Sequence, residues 1–148
     1  MRLKHLGERR VLARIRRAFG ERRAGVLVGI GDDAALVRAP GRLLLTTDIL
    51  VEDEDFLRDG HPPRLLGRKA LAVNLSDIAA MGGRPLHALV GMALPADIDE
   101  SWLRKFMTGF RAAAREAGVA LVGGDLSQAE KIVIAVMVTG EAKFPVLR

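Results

Sequence analysis

An α+β fold is predicted, with strands on one side, two long helices on the other and a further helix at the N-terminus. Three observations carry this expectation. Short β-rich runs such as "LLLTTDILV", "LHALVGMALP" and "KIVIAVMVTGEA" alternate with two long stretches of helical periodicity. Glycine or proline closes most of these runs. Apolar residues make up 49% of 148 residues beside 28% charged, enough for one buried core without a second domain.

Taken in order, Leu6 to Phe19 places Val11, Leu12, Ile15 and Phe19 at helical spacing, and Gly20 ends it. Three β segments follow, Val26 to Ile30, Ala34 to Arg38 and Arg42 to Val51. The turn "APGR" should join the last two as a hairpin. After the acidic loop "EDEDFLRDGHPP", a helix is predicted from Arg64 to Met81, stopped by Gly82, Gly83 and Pro85. "LHALVGMALP" is a strand. "DIDESWLRKFMTGFRAAAREAG" is an amphipathic helix with Asp99 or Ser101 as cap, Trp102 and Phe106 toward the core and Gly118 as stop. "VALVGGD" and "KIVIAVMVTGEA" complete the strands.

Composition removes several function classes. Without cysteine there is no disulfide, thiolate nucleophile or zinc–sulfur site, which suits a reducing compartment, and a cytoplasmic location is expected. No apolar run reaches membrane-spanning length, and "MRLKHLGERR" lacks the apolar centre of a signal peptide, so no membrane partner is expected. The net charge of +5 is concentrated in the first helix, where Arg9, Arg10, Arg14, Arg16 and Arg17 face few acids. That helix has neither aromatic interleaving nor a recognition motif, so nucleic acid is not expected as a partner. His5, His61 and His87 lack ligand spacing and read as surface or packed residues.

The acidic residues are placed less ordinarily. Asp32 and Asp33 follow "GIG", Asp48 ends "LLLTTD", Asp77 stands mid-helix, and Asp125 follows "VGG". Separate elements thus each deliver a carboxylate from an apolar context. Glycines ahead of two of these sites would let a phosphate approach the backbone closely. Carboxylates with neighbouring hydroxyls, here Thr46, Thr47 and Ser76, are the hard oxygen donors that magnesium takes, commonly while it bridges substrate phosphates. Asp77 is the sharpest case, because apolar residues cover most of its helix and an unpartnered buried carboxylate costs several kcal/mol. Either a cation holds it, or it pairs with a backbone N–H, Arg68 or Lys69. "GDD", "GGD" and "TTD" singly are also ordinary turn and strand-end chemistry.

Together, "GIGDDAALV", "LLTTDILVE", "KALAVNLSDIAAMGGRP", "ESWLRKFMTGF" and "LVGGDLS" resemble the N-terminal domain of the thiamine-monophosphate kinase family. That family belongs to the superfamily of aminoimidazole ribonucleotide synthetase and selenophosphate synthetase. The resemblance runs from "LGERRVLARI" to the last residue. It implies an ATP-dependent kinase that converts thiamine monophosphate to thiamine diphosphate by direct, magnesium-assisted transfer, with no residue acting as covalent catalyst. It implies magnesium ligation by Asp33, Thr46, Thr47, Asp48, Asp77 and Asp125, and nucleotide contacts from Gly124, Asp125 and Arg148. It also implies a mixed four-stranded sheet that completes a barrel with that of a second subunit in a homodimer. No Walker A or protein-kinase signature is present, consistent with phosphates held by metal and loop backbone.

Two departures stand out. The family's "VEGVHF" is "VEDEDF" here, placing Asp55 where a histidine beside the thiamine phosphate is usual, so Asp55 is a candidate substrate-binding position. The resemblance leads to the expectation that the family's C-terminal domain is missing after "PVLR" and that residues 1–148 are an N-terminal ATP- and magnesium-binding and dimerisation domain, inactive when isolated. The alternatives are another ATP-dependent synthetase of the superfamily, or a non-catalytic dimerisation or metal-binding module. A selenophosphate synthetase is disfavoured by the lack of cysteine.

Overall fold

A computed structural model describes residues 8–20, 24–31, 34–38 and 41–146. Its elements run α1 (Glu8–Phe19), β1 (Val26–Val28), β2 (Leu36–Val37), β3 (Leu43–Val51), α2 (Pro63–Ala80), β4 (Arg84–Leu94), α3 (Glu100–Ala117), β5 (Ala120–Gln128) and β6 (Val133–Glu141). The main sheet has four strands in the order β3-β6-β4-β5. β6 is antiparallel to both neighbours, while β4 and β5 are parallel and joined across α3, so the sheet is mixed as predicted.

The period of two along β6 assigns the faces. Ile134, Val136 and Val138 are buried, whereas Met137 between them is exposed. α2 lies on the buried face, where its Ile78 is close enough to meet any side-chain carbon added at Gly140 of β6. α3 packs against α2 through Gly67 and Gly109, both buried. A Cβ on Gly67 would collide with the Phe106 carbonyl, and one on Gly109 with the Arg64 carbonyl. Two bare positions therefore let the helix backbones touch. α3 adds Leu103, Phe106, Phe110 and Ala114 to the core and ends at Gly118 in the left-handed region, φ 70°. α1 is fastened to α3 by an Arg14–Glu100 ion pair and by Phe19, edge-on to Phe110 with centroids 6.3 Å apart.

Three expectations change. β2 pairs with β1, not β3, through Val26↔Val37, so the predicted hairpin between the second and third β segments does not form. β3 instead aligns all nine residues with β6, from Leu43↔Glu141 to Val51↔Val133, a ladder that a two-residue strand cannot match. β5 does not end at Asp125, as the run "VALVGGD" predicts, but continues to Gln128. Finally, α2 is not covered on most of its circumference: Leu66, Gly67, Ala70, Leu71, Asn74 and Ile78 are buried, but Ser76 and Asp77 are exposed. The fully enclosed polar residue is Asn74, whose Nδ2 donates to the Ala70 carbonyl at 3.3 Å while its Oδ1 has no partner among the described residues. No helix among the described residues is long and apolar enough to cross a membrane.

Candidate active site

Leu50 of β3 is buried toward the helices, so Asp48 and Thr46, two and four positions before it, face the same way. There Thr46 Oγ1 donates to Asp77 Oδ2 at 2.7 Å, tying β3 to the exposed side of α2. Burial, and secondarily the charge of Asp77, raises the pKa of Asp48 above the ordinary carboxylate value. Two carboxylates therefore repel one another, and among the described residues neither has a cationic partner. Arg68 is committed to Glu116 through contacts of 2.9 and 2.7 Å, and Lys69 Nζ donates to the Asp55 carbonyl at 2.8 Å. A salt bridge from Asp77 to Arg68 or Lys69 is thus not formed. An uncompensated carboxylate pair with a hydroxyl alongside fits a divalent hard cation. No group of three or more acidic or histidine side chains among the described residues could hold an ion by itself. A cation at this pair would need further oxygens, such as those of a phosphate.

Thr47 alternates with these residues and is turned to the opposite face, its Oγ1 donating to the Val136 carbonyl at 3.1 Å. That face also holds Asp125, which sits opposite Gly91 beside the Leu89↔Gly123 pair, out of phase with buried Val90 and Met92. A cleft of about 1140 Å³ opens here, lined by Gly123, Gly124 and Asp125 from the sheet, Arg16 from α1 and Gly31 from the loop after β1. A Cβ on Gly124 would meet the Val90 backbone carbon at 2.8 Å, so β5 can press on β4 only if this position is bare. His87 is a buried wall of the cleft; its Nδ1 lies 3.1 Å from Thr139 Oγ1, and burial lowers its pKa. It is packed, one of the two roles that its sequence context allows.

The predicted donors thus form two groups, Thr46, Asp48 and Asp77 on the helix side of β3 and Thr47, Gly124 and Asp125 on the other face. Asp32, Asp33 and Arg148 lie outside the described residues. Asp55 is exposed and closes the turn after β3: its Oδ2 accepts from Val51 N at 2.8 Å and its own N–H donates to the Val51 carbonyl at 2.9 Å. The residue that sequence reasoning missed in this loop is Glu52. It is 6% exposed, takes Arg58 through both oxygens at 2.6 and 3.0 Å, and accepts from Ile132 N at 2.8 Å. These contacts, the Arg58 hydrogen bond first, hold its pKa below the usual value. The signal was present, since Glu52 continues the inward phase of Asp48 and Leu50.

Residues 31–142 match the family model described as AIR synthase related protein, N-terminal domain, and the chain belongs to that family. Its curated relatives include thiamine-monophosphate kinases. That of Mycobacterium tuberculosis is 41% identical over 150 residues, covering 99% of this chain and 44% of the relative. Among solved structures, thiamine monophosphate kinase from Aquifex aeolicus aligns with a TM-score of 0.72 at 36% identity, covering 100% of this chain and 46% of that one. AaThiL complexed with AMPPCP and TMP gives 0.71 at 39% identity, covering 99% and 45%. The chain therefore spans less than half the length of these relatives.

Proposed function

We propose that this chain is the N-terminal, ATP- and magnesium-binding part of a cytoplasmic kinase that phosphorylates thiamine monophosphate to thiamine diphosphate. The observation that carries the proposal is the Asp48–Asp77 pair, with Thr46 bonded to Asp77 and no cationic partner among the described residues, in a chain whose relatives bear that name. Phosphoryl transfer asks the protein chiefly for alignment and charge neutralisation, and direct transfer needs no nucleophilic side chain. Asp48 and Asp77, with Thr46, would hold magnesium, which supplies neutralisation of phosphate charge. Asp33, Thr47 and Asp125 are further ligands in this reading, Gly124 and Arg148 contact the nucleotide, and Asp55 lies toward the thiamine phosphate. The Gly123–Gly124 backbone gives phosphate close access to β5.

The two donor groups lie on opposite faces of one sheet, so a single copy of this chain does not assemble them. A second copy and the family's C-terminal domain complete the site in this proposal, the sheet closing a barrel across a homodimer. Exposed Leu43, Leu45, Ile49 and Met137 make the face away from the helices apolar, which suits burial against a partner. Neither nucleic acid nor membrane enters. Asp77→Asn tests the reading. Asp77 is exposed and has no cationic partner among the described residues, so the substitution should leave the melting temperature without magnesium nearly unchanged. It should abolish the rise that magnesium causes and lower the activity of the complete kinase on ATP and thiamine monophosphate by about a hundredfold or more. An Asn variant that stays active and magnesium-responsive would overturn it.

A further inference from the structure

The basic helix α1 has no part in the function proposed above, yet one of its arginines reaches the cleft. A Cβ built on Gly31 would meet Arg16 at Nη1 2.9 Å, Cζ 3.0 Å and Nε 3.2 Å, so the guanidinium lies directly on the bare backbone of that glycine. The orientation follows from how α1 is docked. Val11 is buried, Arg14 is tied to Glu100 and Phe19 abuts Phe110, which leaves Arg16 directed to the cleft that also holds Gly124 and Asp125. Arg14, Arg58, Arg68 and Arg84 each have a carboxylate partner, whereas Arg16 has none among the described residues.

An exposed arginine without a partner is ordinarily a solvated charge. This one is held against glycine backbone at the wall of a large cleft, where its forked N–H groups suit a phosphate far better than a single-point cation would. Asp125 in the same cleft would repel a bare anion, but not a polyphosphate carrying a divalent cation. We propose that Arg16 is a phosphate-binding residue of this cleft, donating to a phosphate group of a nucleoside triphosphate whose cation lies toward Asp125. The proposal rests on reading the cleft as a nucleotide-phosphate site.

The test is calorimetric titration of the chain with magnesium tripolyphosphate and magnesium ATP at low salt, for wild type, Arg16→Ala and Arg17→Ala. Arg17 is a neighbour, also exposed, that does not line the cleft. Circular dichroism should show all three folded alike, because neither side chain is buried. The expected result is binding of both ligands by wild type, weakened about tenfold or more in Arg16→Ala and within about twofold of wild type in Arg17→Ala, as befits one charge-assisted contact. Wild-type binding with an unaffected Arg16→Ala variant would overturn the role of Arg16 and leave the cleft reading standing. Equal losses in both variants would show diffuse attraction and overturn it likewise. No binding of either ligand by wild type would remove both the cleft reading and this proposal.

Discussion

Glu52 shows how a single residue can be structural in a loop otherwise rich in exposed acids. It lies at the foot of β3, where Arg58 and Ile132 N occupy its oxygens, so it anchors the loop to the start of β6. Its proton is bound more weakly folded than unfolded, because the folded pKa is depressed. The stability it contributes is therefore present above the unfolded value, about 4.3, and disappears as pH falls through the lower folded value. Glu52→Gln should cost about 1–3 kcal/mol at pH 7, since Arg58 loses a charged partner in a partly buried setting. Urea unfolding should show the gap between wild type and variant closing below about pH 4. A gap independent of pH would mean that packing, not charge, holds this loop.

Among the elements, the contact between α2 and α3 depends most on a sequence detail without apolar content. Gly109 stands mid-helix, where alanine has the better intrinsic propensity by about 1 kcal/mol. Propensity alone would make Gly109→Ala stabilising. The collision with the Arg64 carbonyl reverses the sign, because backbone cannot rotate away as a side chain can. We expect net destabilisation of about 1–3 kcal/mol, read as a lower melting temperature, with Gly67→Ala behaving alike. A raised melting temperature would show that the helices part without cost. The hairpin misassignment has a related origin, since turn residues such as "APGR" specify a reversal but not which strands pair after it.

For the whole molecule, the main question is what covers the sheet face opposite the helices. Leu45 and Ile49 are 67% and 58% exposed there, alternating with residues that face α2. If that face closes a barrel with a second copy, as proposed, Leu45→Glu with Ile49→Glu should convert a dimer to a folded monomer in sedimentation, with helix content unchanged. A monomeric wild type would count against the barrel.

Periodicity is a local property, and what depends on it was readable from the residues: both long helices, the four principal strands to within a few positions, and the elements that carry Thr46, Asp48, Asp77 and Asp125. Asp77 illustrates the boundary. Its place on a mostly apolar helix was legible, but its exposure was not, because exposure depends on which arcs of α2 face the sheet and α3. The same holds for Asp125, whose face is assigned by the β4–β5 pairing, and for Arg16, whose approach to Gly31 depends on α1 docking against α3. Register, docking angle and which carboxylates become neighbours come from contacts between residues far apart in the chain. Tertiary packing decides them because each is the lowest-energy compromise among many surfaces at once, and no single segment contains that information.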